Sequence, residues 1–401
     1  MTPRERIRAA LRFQPTDILP VDLGGMGSTG ISAIAYDRLK KFLGITSDTR
    51  LYDVFQQLGW VESEVRAITG GDVAQVMKLR GSFGIKRDKW KKGFMTDGTE
   101  CLVPEEYNPV KDENGNFVIK NDGKILGKCP KDGFYFDFNF LPYEHAETES
   151  DIDAIPMDIW GDDEISFIEA EVKRLHAQNE MAILLDFGGS VFSGGQDTWG
   201  YSRFLEYMAG ESELISYYLD KLTQTHLMNL KNVLNRVGQY IDIINFCDDL
   251  GSQSGPQISL PMYKELIKPH HKSQFAYVRN NYPEVKVFLH CCGSIESFIP
   301  DLIDTGVEIL NPVQISAANM DPRRLKREYG KSLVFWGGGA NMQTFVNRAS
   351  IDAICGHVRE LVDIFSSGSG FVFSQIHNIQ ANVPPEKIMA IFKTAREIRL
   401  S

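Results

Sequence analysis

The stretch Val285-Lys-Val-Phe-Leu-His290-Cys-Cys292-Gly-Ser-Ile-Glu296 reads as a buried strand, a tight glycine turn and the start of a helix. A strand sends its side chains to alternate faces, so His290 and Cys292 point to one side and Cys291 to the other. An imidazole and a thiol sharing a face at a strand's C-terminal end are half of a zinc site. The other half, and a fold to hold it, must come from elsewhere in the chain.

Working outward, the same texture repeats. Apolar runs at 18–24, 73–79, 182–187, 241–247, 307–311, 333–336 and 370–374 join 285–290 to give about eight strands. Helical patterns at 164–177, 204–237, 260–280, 295–305 and 351–366 separate the later ones. The runs are continuously hydrophobic, which marks a parallel sheet covered by helices on its outer face. Eight such units predict an α/β fold, a (β/α)8 TIM barrel, with a doubly wound sheet as the rival that periodicity does not exclude. Thr2-Pro3-Arg4-Glu5 is a capping box for a first helix. Residues 36–43 and 51–59 also read as helical.

From 83 to 145 the pattern changes. Asp97-Gly98, Asn114-Gly115, Asp122-Gly123 and Asp132-Gly133 break short alternating runs and signal hairpins. This segment is predicted to be a β-rich insertion within a single barrel domain spanning 1–401. Its aromatic residues, among them Tyr107, Phe134, Tyr135, Phe136, Phe138 and Phe140, read as the insertion's own core, with a few left to cap a substrate pocket.

The net charge of -10 argues against partners such as nucleic acid or acidic membranes. No apolar run reaches the length of a membrane span, and the charged N-terminal stretch lacks the apolar region of a signal peptide. The six cysteines are scattered without a disulfide spacing and read as reduced thiols, which places the protein in the cytoplasm.

In a barrel the chemistry sits at the C-terminal strand ends. Those ends carry Asp22 with a glycine loop, Asp186, Asp248-Asp249 with Gln253, His290 and Cys292, Asn311 and Gln314, Trp336, and His377-Asn378. His377 is the only other histidine at a strand exit. Two imidazoles and a thiolate suit Zn2+, and three protein ligands with a fourth place open are the catalytic arrangement. H-x-C alone is a weak motif, because Cys is commonly a small buried hydrophobe. The strands of His290 and His377 are not neighbours, so their loops must converge over the barrel's centre. Asp248 and Asp249 face opposite ways along the chain. One can serve the pocket as base, acceptor or fourth ligand, and the plainer reading is a helix cap with an outward salt bridge. Asp249 is the expected catalytic residue. Asp186, Gln253, Asn311, Gln314 and Trp336 are the expected substrate contacts, against turn bonding for Asn311 and Gln314 and core packing for Trp336.

Three blocks in order resemble the uroporphyrinogen decarboxylase superfamily: the opening Thr2-Pro-Arg-Glu-Arg6 with its later Pro20-Val-Asp22; His290-x-Cys292-Gly-Ser294 with Gly306-Val-Glu-Ile-Leu-Asn-Pro-Val-Gln314; and His377-Asn-Ile-Gln380 with Val383-Pro-Pro-Glu-Lys-Ile388. The resemblance implies the (β/α)8 barrel. True uroporphyrinogen decarboxylases carry an arginine-rich loop after the first strand to hold substrate carboxylates. Residues 22–30 here contain no arginine, so a polyanionic tetrapyrrole lacks its clamp. The chain is more similar to the corrinoid-dependent methyltransferase branch, which binds zinc through His-x-Cys and a later Cys. His290 and Cys292 match the first two ligands, and His377 stands where that branch has its Cys. The resemblance therefore implies a zinc methyltransferase. Its partners would be a small methylated substrate, with an aryl methyl ether favoured by the aromatic-rich insertion, and a separate protein carrying the cobalamin. A homodimer is the possible self-assembly. The alternative is a metal-free decarboxylase in which Asp248 or Asp249 positions a pyrrole nitrogen.

Overall fold

Strands Val73–Val76, Ala182–Gly188, Ile243–Cys247, Lys286–His290, Ile309–Asn311, Val334–Trp336 and Phe371–Val372 lie side by side in that order, all parallel, in the computed structural model, which describes residues 1–398. Val21 closes the circle. It pairs in parallel with Gly71 on one flank and with Phe373 on the other. The fold is thus a (β/α)8 barrel whose first stave is a single residue, shorter than the run 18–24 expected from hydrophobicity. Pro20 has no N–H to give to a ladder, which keeps this stave short. Its bonds are Asp22 N–H to Phe373 O, Phe373 N–H to Pro20 O and Asp72 N–H to Val21 O, each 2.8 Å. The Val21 N–H donates to the Asp72 carboxylate at 3.0 Å, and Arg6 holds that carboxylate at 2.5 Å.

The period of two sorts the strand residues. Val73, Leu184, Ile243, Phe288, Ile309, Val334, Trp336 and Val372 fill the barrel interior. Ile183, Leu185, Ile244, Phe246, Val287, Leu289 and Cys291 face the helices. Ile7, Ala10 and Leu11 join the interior cluster from helix Pro3–Leu11, which starts in the expected capping box. The Thr2 hydroxyl accepts from Glu5 N–H at 3.2 Å, and the Glu5 carboxylate accepts from Thr2 N–H at 2.8 Å.

Residues 51–59 are not helical. Leu51–Asp53 pairs antiparallel with Leu58–Gly59. The Asp53 carboxylate accepts from the N–H groups of Phe55 and Gln56, which turns the chain back.

Between the strand at 73–76 and the helix Asp162–Gln178 run two antiparallel units. Trp90–Phe94 pairs with Glu100–Pro104, and Val110–Lys111, Phe117–Asn121, Lys124–Cys129 and Asp137–Phe138 make a four-stranded sheet. Asp122 and Gly123 both take positive φ, 46° and 76°, as a two-residue hairpin turn requires. Tyr107 and Phe136 are buried here with Cys101, Val103 and Cys129, and the same cluster takes in Ile34, Leu51 and Ala381 of the barrel chain. Phe134, Phe138 and Phe140 do not fill that core but stay exposed. Among the described residues no helix is long and apolar enough to cross a membrane.

Candidate metal centre

Strand Lys286–His290 points Phe288 into the interior, against Trp336 at 5.3 Å between rings, and His290 two residues later to the same side. The chain then turns at Gly293, with φ +85°. A Cβ there would sit 2.4 Å from the Gly251 backbone, so only glycine fits. The turn is held at each backbone amide. Cys291 N–H donates to Asn311 O at 2.7 Å and Ser294 N–H to Ser252 O at 2.8 Å. Cys292 N–H donates to the Asp249 carboxylate and Gly293 N–H to the Gln314 carboxamide oxygen, both at 2.8 Å.

This geometry brings Cys292 Sγ to 3.3 Å from His290 Nε2. The His377 ring lies 5.8 Å from that of His290, so the loops of the fourth-last and last strands do converge over the barrel mouth. One ligand atom from each of His290, Cys292 and His377 falls within 4.8 Å of the other two. Cys291 points the other way into the outer core, as the two-residue period requires.

Asn311 decides which nitrogen of His290 is available. Its Nδ2 donates to Trp336 O at 2.8 Å, so its Oδ1 faces the imidazole. That oxygen accepts from His290 Nδ1 at 2.6 Å and from the Ser28 hydroxyl at 2.8 Å. Nδ1 therefore carries a hydrogen, and Nε2, beside the thiol, is the nitrogen left to offer a metal. Burial pushes the Cys292 thiol well above its ordinary value, and the Asp249 carboxylate adds to that. Burial, then the neighbouring His290, brings His377 down to about 4. Two imidazoles and a thiol that a divalent cation would deprotonate make a donor set that fits Zn2+.

The other expected site residues separate. Asp249 stands in the cluster, half-exposed, its carboxylate 3.7 Å from His290 Nε2. Asp248 is the buried cap. It accepts from Val191, Phe192 and Ser193 N–H at 3.1, 2.8 and 2.7 Å and pairs with His271 at 2.8 Å. Asn311 and Gln314 are committed to protein partners, Gln314 also donating to Gln343 at 3.0 Å, and so act as supports in place of substrate contacts. Trp336 does not wall a pocket. Its ring is fully buried in the interior and its indole N–H donates to Asp22 at 2.9 Å, while burial raises Asp22 to about 6. Asp186 lies elsewhere at the mouth, held by Asn245 at 2.7 Å and lining a cleft of about 360 Å³ with Arg87, Trp160, Phe187 and His226. His290, Cys292 and His377 are not among that cleft's walls. Gln253 is exposed on the loop after Gly251. Ser28, Gln56 and Tyr135 serve the site without having been expected. Ser28 carried a signal in its glycine loop after the first stave and Tyr135 only as one of the insertion's aromatics, while Gln56 carried none.

Residues 145–398 match the family model of uroporphyrinogen decarboxylase (URO-D), and the chain belongs to that family. All three convergent residues lie within the matched region. Among solved structures, a methyltransferase from Methanosarcina mazei superposes with a TM-score of 0.60 at 15% identity, over 99% of each chain, which establishes a shared fold. Xylanase B from Clostridium stercorarium F9 reaches a TM-score of only 0.33 at 12% identity, over 59% of this chain and 76% of its own, and bears on nothing further. No curated protein matches the chain.

Proposed function

We propose that this protein is a zinc-dependent methyltransferase. It would move a methyl group between a small methylated substrate and the cobalt of a corrinoid carried by a separate protein. The observation that carries the reading is the convergence of His290, Cys292 and His377, with Asn311 leaving His290 Nε2 free for a metal. Zinc held there supplies a Lewis acid to the substrate oxygen or sulfur. Asp249, half-exposed beside His290, is placed to take or return the proton of that atom. Asp186 and Gln253 remain available for substrate contacts, one in its cleft and one on its loop. Tyr135, in the same segment as the exposed Phe134, Phe138 and Phe140, bonds through its phenol to Asn378 next to His377, which favours an aryl methyl ether as donor. The decarboxylase reading loses support at two places: residues 22–30 offer no arginine, and Asp248 is taken up by three amides and His271.

Metal analysis tests the core of this. The purified protein is expected to carry about one zinc per chain, and His290→Ala/Cys292→Ala to carry none while folded. A folded wild type that stays metal-free after zinc is supplied would overturn the reading.

The protonation states give a second expectation. The free site holds a protonated Cys292 and a neutral His377, so the proton leaves from the thiol when the metal enters. Calorimetry in buffers of different ionisation enthalpy should count about one proton released per zinc near neutral pH, with affinity rising about tenfold per pH unit. Zinc uptake with no proton release would exclude Cys292 as a ligand.

A further inference from the structure

His377 is the ligand held in the least comfortable backbone. Its φ is +60°, the left-handed region that a β-substituted residue enters only when its surroundings fix it there. The flanking backbone is pinned on both sides. Ile376 N–H donates to Ala340 O at 2.9 Å, and Ile379 N–H to Gly30 O at 3.0 Å. Between those pins lies Asn378, buried, with every polar atom of its carboxamide engaged. Its Oδ1 accepts from the Tyr135 hydroxyl at 2.9 Å and from Gln380 Nε2 at 2.6 Å. Its Nδ2 donates to Gln56 Oε1 at 2.6 Å. Gln380 Nε2 also donates to the Tyr135 oxygen, which closes a ring of side chains around the loop.

His290 and His377 are thus positioned by different means. His290 is oriented through its own ring, by Asn311 on the neighbouring strand. His377 is oriented through the residue after it. Two of the three side chains that grip Asn378 come from outside the last strand's loop: Gln56 from the hairpin at 51–59, and Tyr135 from the segment leading into the strand Asp137–Phe138.

We propose that Tyr135 is a positioning residue for the His377 ligand, fixing through Asn378 the strained backbone from which that imidazole reaches the metal. The inference rests on the zinc reading above and adds that the antiparallel segment between the barrel strands sets the strength of the metal site. Loss of one such supporting hydrogen bond changes ligand orientation more than fold, and its effect falls on metal affinity.

The test uses cobalt and zinc titrations of the full chain with three variants. Tyr135→Phe keeps the ring and removes the donor. It should weaken zinc binding about tenfold, and Asn378→Ala by up to about a hundredfold. In the cobalt-loaded Tyr135→Phe protein the visible absorption should shift as His377 loosens, while the thiolate-to-cobalt band from Cys292 persists. Tyr107→Phe is the control, because Tyr107 is a buried phenol of the same segment bonded to Gln57 at 3.3 Å. It should leave affinity and spectrum as in the wild type. Wild-type affinity and spectrum in Tyr135→Phe would overturn this proposal alone, and so would an equal loss in Tyr107→Phe. A wild type that binds neither metal would bring down the zinc reading and this inference with it.

Discussion

Cys292→Ala should abolish methyl transfer, by at least about a thousandfold, or on the order of 4 kcal/mol of transition-state stabilisation. The chain should keep its fold. Cys292 lies past the end of its strand at the barrel mouth, and the turn around it is held by main-chain groups that the substitution leaves in place: its own N–H on Asp249, and Gly293 N–H on Gln314. What the variant would remove from the proposed zinc site is its thiolate ligand. Two imidazoles would be left to hold the cation, and affinity should fall with activity. The measurement is methyl transfer with a corrinoid protein and a panel of methyl donors, next to metal content and thermal unfolding. Full activity in a folded Cys292→Ala protein would refute the assignment.

The second large effect is on stability, one residue from the expected catalytic group. Asp248→Ala should destabilise the chain by about 3–5 kcal/mol, because it strands His271 and three amides at the start of helix Phe192–Trp199 in a buried place. Asp248→Asn should lose less, since one carbonyl oxygen still accepts. Burial alone would raise this carboxyl. Its bond and charge interaction with His271, then the amides of Phe192 and Ser193, outweigh that and hold it below the ordinary 3.8. The unfolded chain therefore binds this proton more readily than the folded one. The contribution is full above 3.8 and is lost as pH falls through the lower folded value. Urea unfolding at neutral pH and in acid should show the wild type converging on Asp248→Ala as pH drops. A neutral-pH difference under about 1 kcal/mol would refute the role given to this carboxylate.

The two aspartates also mark how far the sequence could be read. Adjacent residues were expected to face opposite ways, and Asp249 lies beside His290 while Asp248 is turned inward as a buried cap paired with His271. The same two-residue period placed His290 with Cys292 and turned Cys291 away. These are local rules, and they hold because the barrel strands are regular. Contacts between distant parts of the chain were out of reach. Ser28 meets Asn311 across 283 residues and Tyr135 meets Asn378 across 243, and neither partner carries a pattern that names the other. Asn311, Gln314 and Trp336 were placed at the right end of the right strands, but a polar or aromatic residue there can face a ligand or brace the wall, and only the partners decide. Residues 51–59 misled because their apolar spacing suits a helix, while Asp53 binds two amides ahead of it and turns the chain. The run 18–24 misled by length, since hydrophobicity reports burial and says nothing of how many ladder bonds Pro20 permits.

That short stave has a consequence for the whole ring. Six seams of the wall are zipped by ladders, and the circle is completed at Val21 through few bonds, one of them borrowed from a side chain. The Asp72 carboxylate that supplies it is gripped by Arg6, and Arg4 and Arg8 take Asp242 in the same way at 3.0 and 2.6 Å, beneath a strand further round. Helix Pro3–Leu11 is therefore the clasp of the hoop. Three arginines spaced two apart thus tie the first helix to carboxylates beneath two different strands, away from the residues at the mouth.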